Sequence, residues 1–126
     1  MNNELVIKKC LKCGALVRVL NDCTCDNCGI KCCNEQMKKL IPNSSGASEE
    51  KHIPKYKKVD KEINVTLNHP MEEDHFIEWI SLVHQDKEEI VFLHPGDKAE
   101  CKFNYIPGST IYSYCNKHEL WKKDVI

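Results

Sequence analysis

The residues of this chain that can do chemistry are mainly histidines and cysteines, and one set of them lies in its C-terminal part. Cys115 and His118 are three positions apart, and on a loop a thiolate and an imidazole at this spacing can converge on one metal ion. Four imidazoles and one thiolate exceed what a tetrahedral zinc site takes. They would suit iron in a square pyramid with one open position. The predicted ligands are His52, His69, His75, Cys115 and His118.

A second candidate metal site lies in the N-terminal part, where seven of the nine cysteines fall within residues 10–33. Cys10 and Cys13 form a CxxC pair followed by Gly14, which is typical of a metal-binding knuckle. A second CxxC pair or an adjacent pair could complete a four-thiolate site. These two pairs are Cys25 with Cys28, and Cys32 with Cys33. Spacing does not decide between them, and four thiolates accept either zinc or iron.

Five other residues lie near these sets and have individual expectations. His84 and His94 lie in polar turn sequences, so we expect ordinary solvated side chains there. Cys23 belongs to neither cysteine pair and is expected to be a spare thiol. Glu50 and Lys51 directly precede His52, and their residue types alone allow either a solvated charge pair or groups of the site.

Composition limits the class of protein. The chain has 126 residues and a formal net charge of −1, which argues against a basic surface for nucleic acid. No apolar run approaches the about 20 residues that span a membrane, and the first residues lack a secretory segment. We therefore expect a cytoplasmic protein, in a compartment where disulfides rarely persist. An odd number of cysteines also argues against a complete disulfide framework, so metal ligation is favoured.

The chain is predicted to consist of two domains. Residues 42–49 are turn formers and small polar residues, which predict a linker. Residues 1–41 are too few to form a stable core without a metal or disulfide. Residues 50–126 carry alternating, β-branched and aromatic segments between turn signals. These predict strands over 56–59, 63–67, 76–83, 89–93, 101–105 and 110–114, and therefore an immunoglobulin-like antiparallel β-sandwich.

Four segments of the chain resemble desulfoferrodoxin, the two-iron superoxide reductase family of anaerobes. They are residues 50–54, 68–80, 92–97 and 114–121, and they contain all five predicted histidine and cysteine ligands in the family's order. The resemblance covers nearly the whole chain. It implies a mainly β protein, with a small desulforedoxin-like, metal-stapled domain over 1–41 and a neelaredoxin-like ferrous iron domain over 50–126.

The resemblance also implies the ligands of the first domain. The family has an Fe(Cys)₄ site built from a CxxC pair and an adjacent cysteine pair, which here are Cys10, Cys13, Cys32 and Cys33. The chain departs from the family in the segment between these pairs, because the family pattern does not require Cys23, Cys25 or Cys28. Two iron ions per chain are therefore expected, one Fe(His)₄(Cys) and one Fe(Cys)₄.

The activity implied by the resemblance is one-electron reduction of superoxide to hydrogen peroxide, as a defence against oxidative stress. Lys51 would then attract the superoxide anion, and Glu50 would be a residue that can close the open position of the oxidised site. Backbone amides of Asn116 and Lys117 are predicted to donate to the Cys115 sulfur. Superoxide is the implied substrate, a rubredoxin-like protein the implied electron donor, and a homodimer the implied assembly. Neither nucleic acid nor a membrane is an expected partner.

Overall fold

The structure, a computed structural model, describes residues 4–25 and 29–126. The chain divides into two compact units, which are Leu5–Ile41 and a larger unit that includes Pro42–Ile126. Within the described ranges, no helix has the length and apolar character needed to cross a membrane.

The small unit is built on a three-stranded antiparallel sheet. Its central strand β1 (Val6–Lys9) pairs with β2 (Leu16–Val19) on one side, and a two-residue strand, Lys38–Lys39, pairs with it on the other. A few apolar side chains make its core: Leu5, Ile7, Val19, Met37 and Leu40. A core of this size is marginal, which agrees with the expectation that a metal stabilises this unit.

A tight hairpin in the small unit carries two of the cysteines. Its strands are β3 (Lys31–Cys32) and β4 (Glu35–Gln36), and Lys38–Lys39 follows as β5. Cys33 and Asn34 form the two-residue turn, with φ angles of 55° and 64°. Two consecutive left-handed residues fit a type I′ turn, whose twist matches that of the flanking strands. The turn brings Cys32 and Cys33 to one end of the hairpin.

The large unit consists of seven strands in two antiparallel sheets. The strands of the first sheet are Lys55–Val59 (β6), Glu62–Thr66 (β7) and Glu100–Asn104 (β10), in the order β10–β7–β6. The strands of the second are Ile77–His84 (β8), Lys87–Phe92 (β9), Thr110–Cys115 (β11) and Glu119–Asp124 (β12), in the order β12–β11–β8–β9. A short helix, α1 (Glu49–His52), precedes β6.

Apolar side chains from both sheets form one core. The first sheet contributes Ile63, Val65 and Phe103, and the second contributes Ile80, Leu82 and Ile111. Along β7 and β10 these residues alternate with more exposed neighbours, as a sandwich requires, whereas β8 and β11 are buried along almost their whole length. The prediction of a mainly β protein with an antiparallel sandwich is therefore confirmed. Cys115 belongs to the same buried cluster, so one predicted metal ligand lies at the margin of the core.

Two features of the large unit differ from the expectation. Strand β12 was not predicted, because its C-terminal half is Lys122-Lys123-Asp124 and the alternation is therefore weak. Asn43, in the segment predicted as a linker, is hydrogen-bonded to β12: its N–H donates to Leu120 O at 2.9 Å and its Oδ1 accepts from Lys122 N–H at 2.9 Å. This segment is therefore fixed along the sheet edge. The predicted domain limits of 1–41, 42–49 and 50–126 remain predictions.

Candidate metal centres

Three separate parts of the large unit bring the five predicted ligands together. His52 ends α1, His69 and His75 lie in the connection between β7 and β8, and Cys115 and His118 lie where β11 turns into β12. One potential ligand atom of each side chain lies within 4.8 Å of the others. Residues 66 positions apart in the chain thus share one site, which only the folded sandwich can form.

The four imidazole rings form a closed square. Neighbouring ring centroids are 4.7 Å apart for His52 and His69, 4.7 Å for His69 and His75, 5.2 Å for His75 and His118, and 4.8 Å for His118 and His52. All four pairs meet edge to face, with interplanar angles from 71° to 83°. In this arrangement each ring can direct a nitrogen lone pair toward a common centre, as a metal with four equatorial ligands requires.

Backbone carbonyls fix which nitrogen of two rings faces the centre. His52 Nδ1–H donates to Ser48 O at 2.7 Å, and His69 Nδ1–H donates to Pro70 O at 2.6 Å. Each ring therefore keeps its Nε2 lone pair for a metal, which is how metal-binding histidines are usually oriented. His118 differs, because its Nδ1 faces the site, 3.1 Å from His52 Nε2.

Unsatisfied buried nitrogens support the presence of a metal ion. The Nε2 atoms of His69 and His75 are buried, and neither has a hydrogen-bond partner among the described residues. Leaving such atoms without a partner is costly, unless an ion takes the place of the partner. Burial lowers the pKa of His69 to about 4 and also lowers the pKa values of His52 and His75. These three rings are therefore neutral at pH 7, the form that binds a metal.

Cys115 adjoins the imidazole square and belongs to the buried core cluster. Its side chain is fully buried and its Sγ is 3.8 Å from His118 Nδ1. Burial raises the pKa of this thiol, while the backbone N–H groups of Lys117 and His118 donate to the sulfur and lower it. A bound cation would lower it further, because a coordinating thiol is deprotonated.

The turn after Cys115 explains these amide donors and corrects one expectation. Asn116, Lys117 and His118 form a three-residue hairpin turn, and Glu119 closes it with a φ of 68°. The tight turn directs the last two amides at the sulfur. The predicted donor Lys117 is confirmed, whereas the prediction for the Asn116 amide is wrong: its N–H donates to Phe76 O at 3.2 Å.

The open side of the square faces a cleft. The cleft is lined by the four histidines together with Ala47, Ser48, Lys51 and Pro70. Cys115 is not part of this lining and belongs instead to the buried core cluster. Lys51 is close enough for its charge to contribute to the lowered pKa of His52. Glu50 is exposed on α1 and does not line the cleft, and His84 and His94 lie outside the cluster, as expected.

Trp121 supports the site from β12, and sequence reasoning did not identify it. Its indole is stacked on the His52 ring, with centroids 4.9 Å apart and an interplanar angle of 22°. Its Nε1–H donates to His118 O at 3.0 Å. Trp121 therefore contacts two ligands that come from distant parts of the chain. Trp121 ends the family-like segment 114–121, but neither that position nor its spacing from His118 indicates a role without knowledge of the turn.

The second cluster, in the small unit, consists of the thiols of Cys10, Cys13, Cys32 and Cys33. Their sulfur atoms lie within 4.8 Å of one another, and Cys13 Sγ is 3.6 Å from Cys32 Sγ. Cys10 is buried, and the N–H of Cys13 donates to its sulfur at 3.4 Å, which lowers the pKa of Cys10 to about 6. The nearby thiols raise the pKa of Cys32 to about 12. Crowded thiols of this kind are the donor set of tetrahedral zinc or iron.

The remaining cysteines of this segment are not part of that cluster. Cys23 is a free, exposed thiol, and Cys25 is disulfide-bonded and so cannot act as a thiolate ligand. Cys28, which would complete the alternative pair, lies outside the described residues. The geometry therefore favours Cys32 with Cys33 as the pair that joins Cys10 and Cys13.

A mainly β fold with a His₄Cys group and a separate Cys₄ group is typical of a two-iron, non-haem protein. Residues 44–124 match the Desulfoferrodoxin family. A desulfoferrodoxin of Clostridium acetobutylicum is 38% identical over 128 residues, which cover 99% of this chain and 100% of that protein. The desulfoferrodoxin of Nitratidesulfovibrio vulgaris is also 38% identical, over 98% of this chain and 99% of that protein. The chain belongs to the desulfoferrodoxin family, and its two clusters match the two iron sites of desulfoferrodoxin.

Solved structures share the fold. The superoxide reductase of Treponema pallidum superimposes with a TM-score of 0.73 at 21% identity, over 98% of this chain and 100% of that one. A superoxide reductase (neelaredoxin) of Ignicoccus hospitalis, the T24K form, has a TM-score of 0.50 at 26% identity, over 64% of this chain and 84% of that one. Its shorter coverage corresponds in size to the large unit alone.

The first prediction tests the thiolate cluster. Cys32→Ser or Cys33→Ser should remove the visible absorption of the N-terminal iron, because serine is a poor ligand for iron in a thiolate site. The signal of the His-rich site should persist, because the two sites share no ligand. Absorption spectra of the purified, oxidised variants measure both.

Cys23→Ser is the matched control, since this thiol is exposed, lies in the same unit and is outside the cluster. Its spectrum should equal that of the parent. If Cys25→Ser and Cys28→Ser instead removed the N-terminal absorption while the Cys32 and Cys33 variants kept it, the ligand set would be the alternative pair.

Proposed function

We propose that this chain is a superoxide reductase, which reduces superoxide by one electron to hydrogen peroxide with uptake of two protons. The reactive iron would be held by His52, His69, His75, Cys115 and His118, and a second iron by Cys10, Cys13, Cys32 and Cys33. One observation carries the proposal: four imidazoles form a square that lines a cleft, and a fully buried thiol, which does not line the cleft, adjoins the same square. Iron, when bound there, supplies the electron.

The protein's own groups explain why this site suits a small anion. The cleft is lined by the edges of four imidazoles, and carboxylates are absent from its described lining. Neutral rings and a single thiolate leave a ferrous site with a net positive charge, which attracts superoxide. When a metal is bound, the buried Cys115 thiolate would raise the electron density on it, as thiolates do in haem enzymes. The amides of Lys117 and His118 moderate this effect by donating to the sulfur.

Lys51 and Glu50 have separate proposed roles beside the cleft. The ammonium group of Lys51 adds a positive charge at the entrance, where it attracts superoxide and stabilises negative charge on the reduced product. Glu50 precedes it on α1, and we propose from the family resemblance that its carboxylate closes the open position of the oxidised site. That role requires Glu50 to turn from its exposed position toward the cleft.

The electron donor, the assembly and the compartment are proposals that follow from the family. A rubredoxin-like donor and a homodimer are implied by the resemblance of the chain to desulfoferrodoxins. A cytoplasmic location and a role in superoxide detoxification follow from the same resemblance.

The proposal is tested by the stoichiometry of the reaction. Anaerobically reduced protein, with iron counted per chain, is mixed with superoxide, and peroxide and dioxygen are measured. Reduction predicts one peroxide for each superoxide consumed and no dioxygen. Formation of dioxygen would indicate a dismutase instead. If superoxide were not consumed although both irons were present, the chain would be an electron carrier or redox sensor.

The second prediction concerns Lys51. Lys51→Met keeps most of the side-chain volume and removes one charge, so iron should remain bound while superoxide reacts about tenfold more slowly, which corresponds to roughly 1.4 kcal/mol of barrier. The loss is modest because an exposed charge is screened over about 8–10 Å at physiological salt. The second-order rate constant, measured by pulse radiolysis across a salt series, should also depend less on salt in the variant.

Lys57→Met is a suitable control, because Lys57 is an exposed lysine on β6 that does not line the cleft. It should change neither the rate nor its salt dependence appreciably. If Lys51→Met behaved like Lys57→Met, Lys51 would be only a solvated neighbour of His52.

A further inference from the structure

Asn116 binds the backbone on both sides of one metal ligand. Its Oδ1 accepts a hydrogen bond from Phe76 N–H at 3.0 Å, and its Nδ2 donates to Asp74 O at 3.0 Å. The backbone N–H of Asn116 also donates to Phe76 O at 3.2 Å. His75 lies between Asp74 and Phe76, so three hydrogen bonds from a single residue enclose it.

These bonds are formed where regular strand pairing ends. Along β11 and β8 the pairing is regular as far as Tyr114 and Trp79, and then it shifts so that Cys115 lies opposite Ile77. The sheet ladder therefore fixes Cys115 but does not continue to the segment that carries His75. The Asn116 side chain extends the connection between the two chain segments beyond this irregularity.

Among the described residues, the other backbone hydrogen bonds of His75 are local. His75 and Glu72 exchange backbone hydrogen bonds of 3.0 and 3.1 Å within a tight turn. Bonds inside the turn fix its shape but not its distance from Cys115 or His118. The side-chain amide of Asn116 supplies two further bonds beside that of its backbone N–H, and together they join the turn to the loop that carries both of those ligands.

The His75 ring depends on this link more than two other ligand rings do. The rings of His52 and His69 are each held by a backbone carbonyl. For His75, no side-chain hydrogen bond is formed within residues 4–25 and 29–126, and its buried Nε2 has no partner there. The orientation of the His75 ring at the site therefore depends on the position of the His75 backbone.

We propose that Asn116 is a positioning residue for the reactive metal centre, whose side-chain amide holds the His75 imidazole in place relative to Cys115 and His118. A primary amide is suited to this role because it donates and accepts at once, and both capacities are used here. Aspartate retains the acceptor but loses the donor, and alanine loses both. The inference depends on the metal centre of the proposed function and not on superoxide turnover.

Iron release from the full-length ferrous protein tests this role without any measurement of activity. A ferrous chelator such as ferrozine is added, and the release of iron is followed over time. The kinetic phase that the parent shows and Cys115→Ser lacks is assigned to this centre. Asn116→Ala should weaken iron binding in that phase by about 10- to 100-fold, the usual effect of removing a group that orients a ligand. Asn116→Asp should show a smaller loss, because the bond from Phe76 N–H is kept.

A double-mutant cycle separates positioning of His75 from a general structural effect. In a His75→Ala background, Asn116→Ala should change iron release by less than about threefold, because the ring that it positions is absent. Tyr105→Phe is the control. It removes another long-range bond from a side chain to the backbone, from Tyr105 Oη–H to Ile126 O at 2.7 Å, and should leave release unchanged.

Two results would overturn the inference. One is an Asn116→Ala protein that releases iron like the parent. The other is an effect of Asn116→Ala on iron release that is equally large in the parent and in the His75→Ala background. That result would mean that Asn116 stabilises the whole loop. If no phase of iron release in the parent depended on Cys115, the metal centre of the proposed function would be refuted instead.

Discussion

Replacement of Cys115 by serine is expected to abolish superoxide reduction and the thiolate-to-iron absorption of the His-rich site together. The fully buried Cys115 is the one sulfur donor in that group, so its loss changes both the charge and the geometry of the metal centre. The activity should fall by at least about a thousandfold, or some 4 kcal/mol of barrier. Visible spectra and the rate of superoxide consumption, measured on the same iron-loaded sample, check the two expectations.

Cys101→Ser is a matched control for this change. Cys101 also lies on a strand of the sandwich, and burial raises the pKa of its thiol to about 12. It is outside both metal-binding groups, so its variant should keep the absorption and the activity. A Cys115→Ser protein that retained the parent's rate would mean that the imidazoles alone support the reaction.

Trp121→Ala is expected to cause the largest loss of stability. Trp121 is only 1% exposed and is among the largest fully buried side chains, and truncation of such a residue costs about 3–5 kcal/mol. That is a large part of the 5–15 kcal/mol by which domains are usually stable. The free energy of unfolding of the metal-free large unit can be measured in urea, with Trp79 as the remaining fluorescent probe.

Two further variants, Trp121→Phe and Phe92→Ala, are the controls for Trp121→Ala. Phenylalanine keeps an aromatic ring at the position that packs on His52 but cannot donate to His118 O, so a loss of about 1–2 kcal/mol is expected. Phe92 is 64% exposed, and its truncation should change stability by less than about 0.5 kcal/mol. A Trp121→Ala protein as stable as Phe92→Ala would show that the indole does not support the fold.

The sequence was informative where residue types carry the signal. Alternating apolar residues such as Ile63 and Val65 predicted strands that form the sandwich core, because period-two burial is visible in the sequence itself. The His₄Cys group was predicted because imidazole and thiolate are metal-ligand types and Cys115 and His118 have ligand spacing, and the resemblance to a family contains the same five residues. The pairing of Cys10 with Cys13 was likewise evident from its spacing.

The remaining features depend on contacts that spacing does not reveal. Asn43 looked like part of a flexible linker, yet its hydrogen bonds to β12 are formed with residues 77 and 79 positions away. The roles of Asn116 and Trp121 depend on the shift in pairing after Tyr114 and on the three-residue turn after Cys115. Both are properties of the backbone of the folded chain, so residue types alone could not predict them.

The positions of the ligands along the chain also determine the order in which the two metal centres can form. His52 and His118 are separated by 66 positions, and gathering such distant residues around an ion in an unfolded chain would carry a large loop-closure entropy. The sandwich has a core of its own, so we expect it to fold first and to bind iron afterwards. The small unit has few buried residues and should fold only as its thiolates bind metal. In a cell short of iron, the C-terminal unit would then be folded but free of metal, while the N-terminal unit would be unfolded and susceptible to proteolysis.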